Sequence, residues 1–254
     1  MNIVFIGAGN IATNLSEIFA ASGHTIKQIV NRTASAASVL AKEFNSCFTD
    51  NINDTLTDAD IYMICVKDDA IGSVIHKLPY VKGLVVHTSG STSIDIFNNR
   101  FINFGVYYPF QSFSKFRKVN ITDTPVFIEA NTIQNEENLL EFAKMFSKNV
   151  SIINSKQRLA LHVCGVFANN FSNHMYTLAY QLSKKYSLPF EVFFPLIKET
   201  AEKIRHRSPI AAQTGPAVRN DNKILDIHRE MLNDEKDMLE IYNLLSESII
   251  KFSH

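Results

Sequence analysis

The first twelve residues limit the possible folds of this chain more than any other segment. The apolar run Met1–Ile6 leads directly into Gly7-Ala8-Gly9-Asn10-Ile11-Ala12, and apolar residues then recur at helical spacing. In such a pattern a strand enters a tight turn at Gly7, the backbone at Gly9 can approach a pyrophosphate, and Ala12 lets the helix pack closely on the sheet. N–H groups at the helix N-terminus, including those of Asn10 and Ile11, would bind the phosphates. The segment predicts a dinucleotide-binding turn, with a purely structural glycine turn as the alternative.

Strand and helix patterns alternate over the first 153 residues. Strands are predicted at 24–30, 60–66, 83–87, 102–108, 125–129 and 150–153, and helices at 34–44, 68–76, 93–98 and 136–147. The apolar run within 60–66 is nearly continuous, which is typical of a parallel strand covered on both faces. We therefore predict an α/β fold with a Rossmann-type doubly wound parallel sheet, in which ligands bind at the carboxyl ends of the strands.

The alternation ends after residue 153. The run from Ser155 to Tyr186 contains no proline and only one glycine, Gly165, which predicts a helix of about 30 residues. Further helices are predicted over 189–205, 222–233 and 234–252. We expect two domains: a Rossmann-like dinucleotide-binding domain at 1–153 and an all-α substrate and dimerisation domain at 154–254.

The end of the second strand indicates which dinucleotide is bound. Enzymes that use NAD usually place an Asp or Glu about 20 residues after the glycines to bind the ribose 2′-hydroxyl. This chain has Asn31-Arg32-Thr33 there. Arg32 can pair with a 2′-phosphate and Thr33 can donate a hydrogen bond to it, which favours NADP over NAD. The alternative is that Arg32 is an ordinary surface arginine.

The next two strands end in polar residues. Val66 ends the predicted strand at 60–66 and Asp68 follows it, at the expected cofactor crevice, although Asp68 has an alternative role as a helix cap. Ser89 follows the predicted strand at 83–87 and is a candidate for cofactor binding, whereas Ser91 is a candidate for substrate binding. The alternative for both serines is a simple turn.

An aromatic loop follows the predicted strand at 102–108. The segment 107–113 is too aromatic for a solvated loop and is expected to pack over other residues. Tyr108 and Gln111 are candidates to line a substrate pocket, and the alternative is a loop that folds onto the edge of its own domain.

Polar residues are ordered along the predicted long helix. His162, Asn169, Asn173 and Tyr180 fall on one line at 100° per residue, and a second line contains Asn170, His174 and Thr177. Because apolar residues flank these lines, at least one is expected to be buried, with a substrate or a facing subunit supplying hydrogen-bond partners. Ordinary core polar residues at an interhelical contact are the alternative.

A Gly-Pro loop precedes one of the predicted C-terminal helices. Asp221 is expected to cap that helix. Arg219 either holds a substrate carboxylate or pairs with Asp221.

Composition excludes several classes of partner. Lys and Arg total 25, as do Asp and Glu, and no basic stripe suggests nucleic acid. No apolar run reaches the ~18 residues needed to span a membrane, so we expect a cytoplasmic protein with a small-molecule substrate. Cys47, Cys65 and Cys164 lack disulfide or zinc-site spacing and are expected to be buried thiols, with no metal bound.

Taken together, the chain resembles a family of uncharacterised bacterial proteins described as NADP oxidoreductases, in which a Rossmann-like domain precedes a helical domain of unknown function. The resemblance rests on Gly7-x-Gly9-x-x-Ala12, His87-x-Ser89-Gly90, 105–113, 162–171, and 214–221 with His228. More distantly, the chain is similar to pyrroline-5-carboxylate reductase, ketopantoate reductase and prephenate dehydrogenase. The resemblance implies hydride transfer between NADP(H) and a small carbonyl or imine metabolite bound between the two domains. It also implies a homodimer formed through the helical domain.

Two catalytic features of those relatives are missing. Where a reductase Lys-x-x-x-Asn motif would stand, Lys156 is followed four residues later by Ala160, and Tyr108-Pro109 replaces a His-Pro pair. A proton donor must therefore come from elsewhere. His162 is the first candidate because histidine titrates near neutrality, with Tyr108 and Asn170 as further catalytic candidates. The competing function is a non-catalytic NADP-binding sensor or assembly protein, and a third possibility is exchange between NADP and a deazaflavin.

Overall fold

The computed structural model describes residues 1–115, 117 and 119–253. Contacts divide the chain into two compact units, Met1–Asn170 and Phe171–His254. The first unit thus includes the beginning of the predicted long helix. The domain boundary after residue 153, drawn where the sequence pattern changes, stays a prediction.

The first unit contains one eight-stranded sheet. Its strands are β1 (Asn2–Ile6), β2 (Thr25–Val30), β3 (Cys47–Thr49), β4 (Ile61–Ile64), β5 (Leu84–His87), β6 (Phe104–Pro109), β7 (Val126–Ala130) and β8 (Val150–Ile152). The spatial order is β3-β2-β1-β4-β5-β6-β7-β8. All neighbouring pairs are parallel except β6 and β7, so β7 and β8 run opposite to the other six strands.

Helices pack on both faces of this sheet, with α1 (Asn10–Ala21), α2 (Ala34–Lys42) and α4 (Ile133–Lys144) on one face and α3 (Asp68–Lys77) on the other. A further helix, α5 (Ser155–Gly165), follows β8. Alternate residues of a strand point to opposite faces, and in β1 the side chains of Ile3 and Phe5 join one buried cluster while those of Val4 and Ile6 join the other. The predicted doubly wound Rossmann-type sheet is confirmed.

The predicted long helix consists of three consecutive helical segments. A π-helical stretch, Val166–Phe171, follows α5 and leads into α6 (Ser172–Lys185). The second unit continues with α7 (Phe194–Lys203), α8 (Pro209–Ala212), α9 (Asn222–Met231) and α10 (Lys236–Ser253). Asp221 caps α9, as predicted, because its Oδ1 accepts the Ile224 N–H at 3.3 Å. The region after the sheet is helical, which confirms the expected class of the C-terminal part.

Neither polar line of the predicted long helix is buried within the single chain. Asn169 and Asn173 of the first line and Asn170 and His174 of the second are exposed. Their burial against a substrate or a facing subunit stays a prediction.

The expectation of three buried cysteines is wrong. Among the cysteines only Cys65 is buried. Cys47 lies on the edge strand β3, and Cys164 is on an exposed face of α5.

Within the described residues, no helix is both long enough and apolar enough to cross a membrane.

Candidate functional site

Gly7 forms the tight turn that the sequence predicts. Its φ is 117°, and a Cβ at this position would lie 2.2 Å from the carbonyl oxygen of Cys65. The Gly7 N–H donates to the Val30 carbonyl oxygen at 2.7 Å. The turn is therefore held closely between the ends of β2 and β4, where only glycine fits.

Gly9 begins α1 and leaves the end of the helix open. Among the described residues, no atom beyond its chain neighbours lies within 4 Å of the position that a Cβ of Gly9 would take. The N–H groups of the first turn have no partner within the helix, Gly9 has no side chain to cap them, and the turn contains no acidic residue. Ala12 is fully buried against the sheet. This open cradle of N–H groups fits a pyrophosphate.

The end of β2 presents an exposed basic residue, Arg32. Asn31 donates its side-chain N–H to the Thr33 carbonyl oxygen at 3.1 Å and so shapes the turn into α2. Arg32 is exposed and forms no ion pair with another described residue, and the Thr33 side chain makes no capping bond to α2. Arg32 and Thr33 are thus available to an anionic ligand, and their roles stay predictions.

Asp68 does not cap α3, contrary to the alternative that we considered for it. The capping residue is Lys67, and Asp68 is the first residue of the helix. Its carboxylate is exposed and accepts a short hydrogen bond from the Ser91 hydroxyl, which draws the carboxylate toward the end of β5. Val66 is half-buried beside Gly7 and packs on the core.

The hydroxyl of Ser89 holds the turn that follows β5. Ser89 is buried, and its Oγ accepts the N–H groups of Ser91 at 3.2 Å and Thr92 at 3.0 Å. The turn interpretation therefore accounts for these hydrogen bonds of Ser89. Its contact with the cofactor stays a prediction.

Tyr108 and His162 form a pair although they are 54 residues apart in the chain. The Tyr108 Oη lies 3.2 Å from the His162 Nδ1. A Cβ on Gly90 would lie 2.7 Å from both of these atoms, so the pair packs directly on the Gly90 backbone. The fold thus brings together the ends of β5 and β6 and the middle of α5 at one point.

The surroundings of Tyr108 keep its phenol protonated. Burial raises the pKa of Tyr108, the negative charge of Asp68 raises it further, and the positive charge of Arg158 acts in the opposite direction. A protonated phenol can donate its O–H to the Nδ1 of a neutral His162, or accept the Nδ1–H of a protonated one.

A buried ionic network fixes α5, and sequence reasoning missed it. Arg158 has an exposed fraction of 1% and forms a short ion pair with Glu129 at the end of β7. It also donates to the Thr92 carbonyl oxygen at 2.6 Å, while Glu129 accepts the Ser155 N–H at 2.9 Å. Because Arg158 lies one helical turn before His162, the network positions that histidine. The only sequence signal was an arginine four residues before the candidate histidine.

The remaining predicted site residues lie on the surface. Gln111 is exposed, and its Oε1 accepts the Ser112 N–H at 2.8 Å. Asn169 and Asn170 are exposed on the π-helical segment, and Arg219 is exposed in the second unit. In the described part of the chain, no group of three or more His, Cys, Asp or Glu side chains is arranged to hold a metal ion.

Comparisons with known proteins identify the family of the chain. Residues 2–98 match a family model described as "NADP oxidoreductase coenzyme F420-dependent", and residues 124–249 match a domain of unknown function, DUF2520. A crystal structure from Bacteroides fragilis, described as a "putative NADP oxidoreductase", is 39% identical with a TM-score of 0.92, and the match covers 98% of each chain. A search of curated proteins finds no match.

Two further solved structures share the fold at low sequence identity. An imine reductase from Myxococcus stipitatus in complex with NADP+ is 16% identical, with a TM-score of 0.74 over 99% of this chain and 93% of that one. A 1-pyrroline-5-carboxylate reductase from Streptococcus pyogenes is 12% identical, with a TM-score of 0.64 over 100% and 98% of the two chains. The chain belongs to the NADP-dependent oxidoreductase family in which an NADP oxidoreductase domain is followed by a DUF2520 domain.

Proposed function

We propose that this protein transfers a hydride between NADP and a small carbonyl or imine compound, and that His162 is the proton donor. The observation that carries the proposal is the hydrogen bond between Tyr108 and His162, packed on Gly90 at the carboxyl end of the sheet. Two proteins of similar fold are named as reductases of imines or of 1-pyrroline-5-carboxylate, which is itself a cyclic imine. This supports C=N or C=O compounds as the substrate class.

The pair can supply the proton that such a reduction requires. Bound NADPH supplies the hydride. The imidazolium form of His162 can give its Nε2 proton to a substrate nitrogen or oxygen and is left as a neutral imidazole, with its Nδ1–H donating to the Tyr108 Oη. Tyr108 therefore orients the imidazole, and Arg158 and Glu129 hold the helix that bears it.

The charge of Asp68 favours a cationic substrate. Its exposed carboxylate forms no ion pair with another described residue, whereas the charge of Arg158 is balanced by Glu129. A protonated imine near Tyr108 would be stabilised by Asp68, and an anionic group would be repelled. Ser91, Gln111, Asn169 and Arg219 stay candidates for contacts with the rest of the substrate, and Asn170 stays a further catalytic candidate.

Adjacent tyrosines provide a matched test of the proton donor. Tyr108→Phe removes the hydroxyl bonded to His162, whereas Tyr107→Phe removes a buried hydroxyl without a partner among the described residues. We expect His162→Ala to retain NADPH affinity but lose about 100-fold or more of its turnover on cyclic imines or small ketones. Tyr108→Phe should lose about tenfold or more, and Tyr107→Phe should behave as the wild type. Normal turnover by His162→Ala would contradict the assignment.

We also propose that the protein is a homodimer formed through its helical region. Large apolar side chains stand exposed along residues 171–254, among them Phe194, Leu196, Ile210, Ile227 and Leu244. A groove of about 210 Å³ between α6 and α10 is lined by Met175, Leu178, Ala179, Leu182, Leu232, Met238, Ile241, Tyr242 and Leu245. An apolar surface of this extent favours a protein partner, and a second copy of the chain is the partner that we propose. A cytoplasmic location stays a prediction from the sequence.

A further inference from the structure

A segment that follows β6 lies against the glycine turn at the start of α1. The Asn10 Nδ2 donates to the Phe113 carbonyl oxygen at 3.1 Å, and the Asn14 Nδ2 donates to the Ser114 carbonyl oxygen at 3.1 Å. Asn14 is 6% exposed, and Phe113 packs on the core beside α1. The two asparagine side chains of α1 bind main-chain atoms of the segment. These hydrogen bonds therefore fix the path of the segment over the turn.

Lys115 extends from this segment to the centre of the turn. Its Nζ donates to the carbonyl oxygen of Ala8, the residue between Gly7 and Gly9, at 2.9 Å, although Lys115 as a whole is exposed. An ammonium group has three N–H donors. The bond to Ala8 uses one of them, which leaves two for a ligand that lies on the turn.

We propose that Lys115 binds the pyrophosphate of NADP. Its ammonium stands at the turn where the N–H groups of α1 and the open space at Gly9 form the pyrophosphate cradle, and it adds a full positive charge to the partial charge of the helix. The inference rests on NADP binding, which the family establishes, and not on the proposed hydride transfer. Loss of binding can therefore be separated from loss of chemistry.

Lys115 and Arg32 would recognise different phosphates. Arg32 lies at the end of β2, where the 2′-phosphate is expected, whereas Lys115 lies at the turn after β1. Two ligands separate these roles. NADH has the pyrophosphate but lacks the 2′-phosphate, and adenosine 2′-monophosphate has the 2′-phosphate but lacks the pyrophosphate.

The experiment measures dissociation constants of the full chain for NADPH, NADH and adenosine 2′-monophosphate by calorimetry. The central variant is Lys115→Gln, which keeps an N–H donor but removes the charge, and Lys115→Arg restores the charge. We expect Lys115→Gln to weaken NADPH and NADH binding by the same factor, about tenfold or more. Binding of adenosine 2′-monophosphate should stay within about twofold of the wild type, and Lys115→Arg should restore most of the NADPH affinity.

Arg32→Ala serves as the control for the other phosphate. It should weaken NADPH and adenosine 2′-monophosphate while leaving NADH unchanged. Raising the salt concentration should reduce NADPH affinity less steeply in Lys115→Gln than in the wild type, because one charge contact is missing. An unchanged NADPH affinity in Lys115→Gln would overturn the proposal. Equal weakening of all three ligands would also overturn it, because that result indicates a structural role for Lys115.

Discussion

Two glycines of the dinucleotide turn differ in what a methyl group would meet. A Cβ on Gly7 would lie 2.2 Å from the Cys65 carbonyl oxygen at a φ of 117°, whereas a Cβ on Gly9 meets no described atom within 4 Å. We expect Gly7→Ala to lower the free energy of unfolding by more than about 2 kcal/mol. Gly9→Ala should leave stability nearly unchanged but weaken NADPH binding about tenfold or more, because its methyl group would occupy the pyrophosphate cradle. Thermal unfolding and NADPH titration of both variants test this contrast, and a Gly9→Ala protein that binds NADPH normally would contradict it.

His87 should make stability depend on pH. Burial, and to a smaller degree the charge of Arg158, lowers the pKa of His87 from 6.5 to about 3, while the charge of Asp68 acts in the opposite direction. Between these values the unfolded chain binds a proton at this residue and the folded chain does not. The free energy of unfolding should therefore fall with decreasing pH from 6.5 to 3, by up to about 1.4 kcal/mol per pH unit from this group.

Urea unfolding of the wild type and of His87→Gln across this pH range isolates the effect from that of the carboxylates. The free energy of unfolding should fall more steeply with decreasing pH in the wild type than in His87→Gln. Parallel curves for the two proteins would contradict a neutral His87 in the folded state.

At the scale of elements, α5 depends on a buried ion pair. Arg158→Met leaves the Glu129 carboxylate without its partner, and Glu129→Gln leaves the buried guanidinium without its counter-charge. Each single change should cost about 3–5 kcal/mol of unfolding free energy, and the double variant should cost less than the sum. Chemical denaturation of the wild type, the two single variants and the double variant gives the coupling free energy between the two side chains. Additive losses would show that the two side chains stabilise the fold independently.

The elements of the sheet could be predicted from the sequence, but the network around α5 could not. Apolar runs bounded by glycines and polar residues predicted β1, β2, β4, β5 and β6 because parallel strands are buried on both faces. The short edge strand β3 was missed, since three residues give too little pattern. Arginine is rarely buried, so its residue type gave no reason to expect Arg158 inside the protein. The 3.6-residue periodicity of the sequence also does not distinguish a short π-helical segment from an α-helix.

At the scale of the whole molecule, the sequence indicated the class of the fold and the cofactor, but not the arrangement of the catalytic candidates. The glycine turn and Asn31-Arg32-Thr33 are contiguous motifs, so their chemistry could be interpreted directly. The hydrogen bond between Tyr108 and His162 joins residues far apart in the chain, and it depends on how α5 packs on the end of β6. Distances of this kind follow only from the folded structure.

The proposed dimer gives a prediction about mass in solution. Light scattering should report twice the chain mass of 28.7 kDa for the wild type. Leu244→Glu should shift the population to the monomer, because Leu244 is 68% exposed on α10 and a charge there would oppose an apolar interface. Ile133→Glu is the matched control, since Ile133 is 77% exposed but belongs to the first unit. A wild-type protein of single-chain mass would contradict the proposal.

Transfer of an isotope from the cofactor tests the central claim most directly. The protein is incubated with NADPH deuterated at the transferable position of C4 and with a panel of cyclic imines and small ketones, and the products are analysed by mass spectrometry. We predict a product that contains one deuterium with the wild type, formed about 100-fold or more slowly with His162→Ala, although that variant still binds NADPH. NADPH binding by the wild type without any deuterated product would contradict hydride transfer and would favour a nucleotide-binding protein without this chemistry.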